Sequence, residues 1–379
     1  MKKIVSIIAL VLCSQLVSAQ TVRFSETCTS SEPLATLSFV GDVLVHKMLY
    51  QNVVNSTQRF SSIWEKTDIL IRKADFSVAN LEGPAALGID KNGRDRGDVG
   101  FIYDDDVYSG TNFRFNYHPR ILSNLQSSGY DLISLSNNHT LDRGSLGVDR
   151  TLEAALKINL PIVGIRHSQE RNAALYSVHN VRGLRLAFLA CTETTNGRAD
   201  SKEQLLLCYQ QGDQVIKLIR DLKKRSDVDG IIVMPHWGVE YQHQPSNQQK
   251  SYARKYLEAG ALAIVGSHPH VLQPWEKYVT TDGRETIIMY SLGNFVAGQK
   301  DISRKTGVVT YVGLGKGMDK KARIVGVGYT PTYREGTVVS PVGSKDSASV
   351  LKHAAQFFGN TQRIEPHEVL RPTLCSKVQ

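Results

Sequence analysis

The chain has 379 residues, of which 41% are hydrophobic and 21% are charged, values that are ordinary for a globular protein of one or two domains. Its formal net charge is +9, and the lysines and arginines are spread along the chain rather than gathered in a dense tract. A nucleic-acid partner is therefore not expected, whereas an anionic substrate or polymer is compatible with the charge.

The first residues have the pattern of a cleaved export signal. Two lysines precede an apolar run, Ile4 to Cys13, and the small residues at 17–19 suit cleavage before Gln20. The run is too short to span a membrane, and the mature chain shows no second candidate. Leu12 stands where a lipoprotein signal would have a small residue, so lipid attachment is not expected. We predict a signal peptide over 1–19 and an exported, soluble protein, periplasmic or extracellular, with no transmembrane span after cleavage.

Export would leave four cysteines in an oxidising compartment, namely Cys28, Cys191, Cys208 and Cys375. Four cysteines allow two disulfides in three possible pairings. Pairing Cys191 with Cys208 would close a polar excursion of the chain, and pairing Cys28 with Cys375 would tie its two ends together. Free thiols are the alternative. No Cys-x-x-Cys occurs, so a thiolate redox or zinc site is not expected.

Continuous apolar runs alternate with amphipathic segments along the chain, which indicates an α/β protein with covered sheets. Strands are predicted over 34–42, 76–82, 130–139, 160–164, 183–192, 229–238, 261–270 and 285–295. Helices are predicted over 61–75, 118–129, 144–159, 213–227, 247–260 and 347–359. After residue 305, strand-like runs and the last of these helices are expected to complete the same domain.

Residues 83–117 interrupt the alternation of predicted strands and helices and are rich in Gly, Asp, Arg and Tyr. A long irregular insertion in an α/β domain is often a lid or a binding loop. Its arginines, Arg94, Arg96 and Arg114, are candidates for clamping phosphate or carboxylate groups. The alternative is a solvated charged loop, and the neighbouring run of aspartates at 104–106 argues against a simple anion trap.

Polar side chains stand just past the carboxyl ends of the predicted buried strands, where ligands bind in open α/β sheets. Carboxylates, an amide and imidazoles with no thiolate are the ligand set of a divalent ion such as Mn, Fe or Zn. We therefore predict a site for one or two divalent ions. Its candidate residues are Asp42, Glu82, Asn138, His139, His236, His268 and His270.

The last two of these histidines lie in the stretch "IVGSHPHVLQP". Side chains at i and i+2 of an extended chain point to opposite sides, so both can reach one ion only if the backbone turns. Gly266 and Pro269 are residues that allow or fix a turn. Two solvated loop histidines are the plainer alternative.

Six ordered motifs between about residue 34 and residue 298 resemble the bacterial capsule-synthesis CapA family, which makes poly-γ-glutamate capsule and looks like a branch of the calcineurin-like metallophosphoesterases. The motifs are "FVGDVLVH", "ANLEGP", "LSNNHTLDRG", "PHWGVEY", "VGSHPHVLQP" and "YSLGNF". The resemblance implies a metallophosphoesterase-like sandwich of two mostly parallel sheets flanked by helices, with a metal centre at the strand ends. It also implies a domain over 34–298, which residues 299–379 would complete.

The resemblance also implies roles for single residues. Asp42 resembles the first-strand aspartate, and Glu82 takes the place of the bridging carboxylate, which is Asp in the wider superfamily. Asn138 and His236 resemble ligands of the second metal, and His139 resembles the catalytic histidine beside them. His268 and His270 resemble the closing pair, one for each metal.

One position departs from the pattern. The superfamily has a histidine two residues after the first aspartate, where this chain has Leu44. His46 lies two residues further on, either as a replacement ligand or as a residue of the first helical turn. The first metal position is therefore expected to be the weaker one, while Glu82, Asn138, His236 and His268 make the second complete.

Further residues near these motifs are candidates for support or substrate contact, each with a plainer alternative. Asp142 would hold His139 in one tautomer, or else cap the following helix. Asn294 would orient a ligand histidine, or else lie in a turn. Glu240 and Tyr241 would contact substrate or ligands, or else only pack locally.

Two functions fit these features. The first is a metal-dependent hydrolase acting on a phosphoester, a γ-glutamyl bond or a similar polymer bond during capsule or poly-γ-glutamate biosynthesis. The second is a non-catalytic assembly or export factor for an anionic capsule polymer, working with capsule-assembly proteins. The adjacent Asn138 and His139 favour the enzyme, and the missing histidine at Leu44 favours the assembly factor.

Overall fold

A computed structural model describes residues 21–25, 28, 35–111 and 114–376. The signal peptide expected over 1–19 lies outside the described residues, as do the last three residues of the predicted segment 299–379. Within the described part of the chain, no helix is long and apolar enough to cross a membrane.

Strands and helices alternate along the first two thirds of the chain, and strands dominate the last third. The strands are β1 Ala35–Val43, β2 Phe76–Leu81, β3 Leu132–Ser134, β4 Ile162–Val163, β5 Tyr176–Val181, β6 Leu184–Thr192, β7 Gly230–His236, β8 Ala263–Val265, β9 Leu272–Val279, β10 Glu285–Leu292, β11 Asn294–Val296, β12 Thr306–Lys316, β13 Ala322–Glu335 and β14 Val338–Pro341. The α-helices are α1 Lys47–Asn55, α2 Asp68–Ile71, α3 Arg120–Ser128, α4 Gly144–Lys157, α5 Gly212–Lys224, α6 Asn247–Ala259, α7 Ile302–Lys305, α8 Ala348–Phe358 and α9 Leu370–Ser376.

In the described chain these strands form two sheets. The first has the order β14-β13-β12-β1-β2-β3-β4, with β11 also paired to β1, and the second has the order β5-β6-β7-β8-β10-β9. Strands β1 to β4 run parallel to one another, and so do β6, β7, β8 and β10. Antiparallel strands extend one edge of the first sheet, through β12 to β14, and both edges of the second, as β5 and β9, so both sheets are mixed.

Three apolar clusters explain the layering. One lies between the sheets and joins side chains of both, such as Phe39 and Phe188. A second packs the outer face of the first sheet against α1, α3 and α4. A third packs the outer face of the second sheet against α5 and α6. The predicted class, an α/β sandwich of two sheets flanked by helices, is confirmed.

The predicted helix over 61–75 forms as separate short helical turns rather than as one continuous helix. The segment forms short 3₁₀ turns, Phe60–Ile63 and Glu65–Thr67, followed by the single turn of α2. Hydroxyl groups bond to nearby backbone carbonyls, as in the bond from Thr67 Oγ1 to Trp64 O of 2.6 Å, and this competition breaks a regular helix. Strands β5 and β9 were not predicted because their outward faces are polar or half-buried, which weakens the apolar signal.

Disulfides form in one of the three possible pairings. Cys28 bonds to Cys375, and Cys191 bonds to Cys208. The second bond closes a loop that begins where β6 ends, and this loop lies next to the strand ends described below.

Candidate metal centre

The carboxyl ends of the parallel strands bring the candidate ligands together in two groups that share one carboxylate. Glu82, His236 and His268 form one group, and Asp42, Glu82 and His270 form the other. Within each group, one ligand atom per residue lies within 4.8 Å of the others, and all five side chains are buried. Both groups contain Glu82, the residue for which the family resemblance implied the place of a bridging carboxylate.

Glu82 is the clearest sign that a cation fits here. The side chain is fully buried, yet among the described residues neither carboxylate oxygen has a hydrogen-bond donor. Among the histidine nitrogens of the centre, the nearest to Glu82 Oε1 is Nε2 of His236. The distance is 3.6 Å, which is too long for a hydrogen bond. A buried carboxylate without donors is costly unless a cation compensates its charge, so the donor set fits a bound metal ion.

Asp42 and His270 are positioned by contacts with each other and with neighbouring asparagine side chains. Asn80, on β2 beside β1, donates its amide to Asp42 Oδ1 at 2.8 Å. His270 Nδ1 lies 3.2 Å from Asp42 Oδ2 and 3.0 Å from Asn294 Oδ1, which makes it the donor nitrogen. The other ring nitrogen, Nε2, then faces Glu82 at 3.8 Å as the ligand atom.

His236 and His268 converge on the second position. His236 Nε2 lies 2.9 Å from Asn138 Oδ1 and 3.1 Å from His268 Nδ1, so these three atoms face one point. Nδ1 of His236 bonds to Ser267 Oγ at 2.9 Å, which fixes the ring from behind. Nitrogen and oxygen donors without thiolate are compatible with Mn, Fe or Zn.

The two closing histidines reach the centre because their own backbones turn. His268 has φ = 102° and His270 has φ = 58°, a region that residues other than glycine rarely adopt. The sequence pointed to Gly266 and Pro269 as the turn residues. Gly266 instead permits a close approach, since a Cβ there would lie 2.1 Å from Tyr290 O.

His139 lies beside the metal positions and is oriented by Asp142. The imidazole Nδ1 is 2.7 Å from Asp142 Oδ2, which leaves Nε2 facing Glu82 Oε1 at 3.9 Å. Asp142 also accepts the backbone N–H of Phe115, and the Phe115 ring packs edge-on against His139. Asp142 does not cap a helix, because the N-cap residue of α4 is Arg143.

The buried carboxylates and histidines of the centre shift one another's pKa values. Burial opposes ionisation of Asp42 and Glu82, but the nearby histidines outweigh burial and lower the pKa of both carboxyl groups. Burial also disfavours a charged His270, yet Glu82 and Asp42 together raise its pKa to about 9. Burial and repulsion from its two neighbours lower the pKa of His268, which leaves that ring neutral and ready to act as a ligand.

The position at which the family resemblance implied a histidine is filled by an apolar side chain, that of Leu44. Leu44 is buried in the apolar cluster against the helices. His46 is the N-cap residue of α1, and its Nδ1 lies 3.1 Å from the backbone N–H of Gly298. Burial lowers the pKa of His46 to about 4, and the ring belongs to neither ligand group. Among the described residues, the first position therefore has three ligands.

The remaining candidates lie at different distances from the centre. Glu240 and Tyr241 follow β7 on a loop, where the Tyr241 ring centroid is 6.1 Å from that of His270 and Glu240 adds negative charge near the same ring. Arg94 and Arg96 are both exposed, and Arg96 pairs with the buried Asp90. Among the described residues, neither arginine makes a hydrogen bond or ion pair with a candidate ligand.

Several supporting residues were missed from the sequence. Asn80 lies on β2 two residues before Glu82, which directly follows the strand, so alternation continued by one residue past β2 would have placed both side chains on one face. Asn137 donates its amide to Leu81 O at 2.8 Å, directly before Glu82. Arg198, whose Nε lies 3.4 Å from Asp142 Oδ1, could not be found, since only the tertiary fold brings it there.

Comparison with known proteins gives concordant matches. A family profile described as "Bacterial capsule synthesis protein PGA_cap" matches residues 36–299. Over 272 residues the chain is 31% identical to "PGA biosynthesis protein CapA" of Bacillus subtilis (strain 168), which covers 72% of this chain and 65% of that protein. Over 270 residues it is 30% identical to "Capsule biosynthesis protein CapA" of Bacillus anthracis, which covers 70% of this chain and 60% of that protein.

The chain thus spans less than two thirds of the length of these curated relatives. Among solved structures, the sulfate thiohydrolase SoxB of Thermus thermophilus in complex with glycerol is similar at a TM-score of 0.36 and 11% identity. That match covers 82% of this chain and 46% of the other, and it is too weak to bear on the reaction.

Proposed function

Because the chain belongs to the bacterial capsule synthesis PGA_cap family, we propose that it is an exported, metal-dependent hydrolase that acts in the biosynthesis of a capsule or poly-γ-glutamate polymer. The observation that carries the proposal is the pair of candidate ligand groups that share the carboxylate of Glu82, which has no hydrogen-bond donor among the described residues. We place the reaction in the phosphoesterase class, with a phosphoester or polymer bond as substrate.

Two positions for divalent ions would be held by the residues of the two groups, with Asn138 added at the second. When bound, such ions supply a water activated at neutral pH and compensate charge in the transition state. Glu82, which belongs to both groups, would contribute a ligand to each ion. Asn80, Ser267 and Asn294 fix the ligand orientations, and a ligand set oriented in this way needs little rearrangement during the reaction.

His139 would act as the general acid. In hydrolysis of a phosphoester, the oxygen of water forms a bond to phosphorus while the bond to the leaving oxygen breaks. His139 Nε2 donates a proton to that leaving oxygen, and the proton of the attacking water restores the imidazolium. Asp142 keeps the proton-bearing Nδ1 directed away from the substrate, so the second nitrogen faces the reacting group.

A second candidate function is a non-catalytic assembly or export factor for an anionic capsule polymer. Leu44 favours it, because the first position lacks a histidine that the wider superfamily has. A single ion at the second position would then stabilise the fold without turnover. The two functions differ in what they require of His139.

Turnover by the purified mature protein separates them. We would measure hydrolysis of bis(4-nitrophenyl) phosphate and 4-nitrophenyl phosphate as purified, after chelation and after Mn²⁺ is returned. The hydrolase should lose activity on chelation and regain it with metal. His139→Ala should lower kcat by about 10²- to 10⁴-fold while metal content stays unchanged.

The matched control is His367→Ala, which removes an exposed histidine near the C-terminus. It should leave both turnover and metal content unchanged. If His139→Ala hydrolyses these esters as fast as the unmodified protein, or if hydrolysis persists without metal, the proposed mechanism is wrong. Bound metal without turnover of either ester would favour the assembly factor.

A further inference from the structure

The loop that the Cys191–Cys208 disulfide closes lies against the candidate centre. Its base is held by the disulfide and by backbone bonds from Thr192 N to Leu206 O at 2.9 Å and from Cys208 N to Thr192 O at 2.8 Å. Its first residue, Glu193, bonds through its backbone N–H to His236 O at 2.8 Å, and its carboxylate accepts the N–H of Gly238 at 2.7 Å. The loop is therefore tied to the strand end that carries a ligand histidine.

The tip of this loop contacts the segment around His139 on both sides. Asn196 Oδ1 lies 3.5 Å from the side-chain nitrogen Nδ2 of Asn138, the residue before His139. Arg198 Nε lies 3.4 Å from Oδ1 of Asp142, the residue that orients His139. A bond from Thr195 Oγ1 to Arg198 O fixes the turn between them. The guanidinium thus lies at the rim of the centre, on the outer side of the His139–Asp142 pair.

Arg198 has unused hydrogen-bonding capacity, unlike Arg143 and Arg304, which also lie near the centre. Its side chain is 32% exposed, and within the described part of the chain it makes one ion pair and no hydrogen bond. Arg143 is buried and donates to several backbone carbonyls, including Ile89 O and Arg114 O. Arg304 pairs with Asp301 and stacks on the Tyr241 ring. The charge of Asp142 is already shared with His139 and the Phe115 N–H, so the charge of Arg198 is only partly compensated.

We propose that Arg198 binds an anionic group of the substrate, a carboxylate or phosphate that is separate from the bond being cut. The inference rests on the proposed function for its location beside a reacting group. A planar guanidinium matches both oxyanions with two parallel N–H donors, and its position beyond Asp142 keeps it apart from the group that the metal positions would hold. The disulfide-closed loop is then the part of the chain that selects anionic substrates.

Equilibrium binding tests this without turnover. Isothermal titration would measure the affinity of the metal-containing mature protein for a short γ-glutamate oligomer and for inorganic phosphate, in the unmodified chain and in Arg198→Gln. Arg198→Gln should weaken binding of a recognised probe about tenfold or more. Arg198→Lys should lose less, because it keeps the charge without the bidentate geometry. Loss confined to the oligomer identifies a carboxylate, and loss confined to phosphate identifies a phosphate.

The matched control is Arg220→Gln, on the exposed face of α5, where the arginine makes no ion pair among the described residues. It should leave both affinities unchanged. Metal content and the midpoint of thermal unfolding should be the same in all variants, which excludes a merely structural effect. Affinities of Arg198→Gln within about twofold of the unmodified protein, or binding of neither probe to the unmodified protein, would overturn the proposal. Weakened probe binding in a protein that hydrolyses no ester would support the role of Arg198 and refute the hydrolase.

Discussion

At the scale of single residues, strained backbone conformations place the ligands. The positive φ angles of His268 and His270 cost on the order of 1–3 kcal/mol each. Local bonds hold the strained turn, since the N–H of His268 points at Asp42 Oδ2 and the carbonyl of Pro269 accepts the N–H of Tyr241. Strain that the surrounding structure maintains in this way is typical of functional sites.

A half-buried imidazole outside the centre, that of His353, makes stability depend on pH. His353 on α8 packs against Phe357, and its Nε2 has no hydrogen-bond partner among the described residues. Burial lowers its pKa to about 4, below the usual 6.5. The unfolded chain therefore binds a proton that the folded chain excludes. This contribution to stability is present above about pH 6.5 and is lost as the pH falls towards 4.

We expect His353→Phe to raise the free energy of unfolding more at pH 5 than at pH 7.5. The difference should be roughly 1 kcal/mol after allowance for solvent screening, because the group is partly exposed. Urea unfolding at the two pH values measures it. His367→Phe, at an exposed histidine, is the control and should leave the pH dependence unchanged. An equal pH dependence in His353→Phe and the unmodified protein would show that His353 titrates normally.

At the scale of elements, the Cys191–Cys208 disulfide closes a loop that contacts the candidate centre. The cysteines are 17 residues apart, and closing a loop of this size stabilises a fold by about 3 kcal/mol in the chain-entropy account. We expect Cys191→Ala/Cys208→Ala to lower the free energy of unfolding by about that amount. It should also weaken binding of the anionic probe, because Arg198 loses its fixed position.

The other disulfide provides the comparison. Cys28→Ala/Cys375→Ala removes a bond between the two ends of the described chain, and the proposed Arg198 site does not include either cysteine. It should lower stability while leaving probe affinity intact. Urea unfolding and isothermal titration on both double variants measure the two effects. Equal loss of probe affinity in both variants would show a general loosening rather than a role for the loop.

The individual strands also show how much of the fold could be predicted from the sequence. Long strands such as β1 and β7, which are buried on both faces, were predicted from their largely apolar runs, and the polar residue at each strand end identified a candidate ligand. Strands with a half-exposed face, such as β5, lack that signal. The contact of Arg198 with Asp142, residues far apart in the chain, carries no local pattern and needed the fold.

At the scale of the whole molecule, the centre depends on the pairing of the two sheets. Asp42 and Glu82 come from the first sheet, whereas the three ligand histidines come from the second. Gly41 on β1 permits the close approach of Gly293, which joins β10 of the second sheet to β11 of the first, since a Cβ on Gly41 would lie 1.9 Å from Gly293 O. The two metal positions therefore exist only in the folded chain, and bound ions should stabilise it.

The number of metal ions per chain tests the central claim most directly. Elemental analysis of mature protein that has never met a chelator should find two divalent ions in the unmodified chain and in Glu335→Gln, a control at an exposed carboxylate. Glu82→Gln should hold fewer than one, because both groups lose their shared ligand. A folded, unmodified protein without metal, or Glu82→Gln with two ions, would contradict the account.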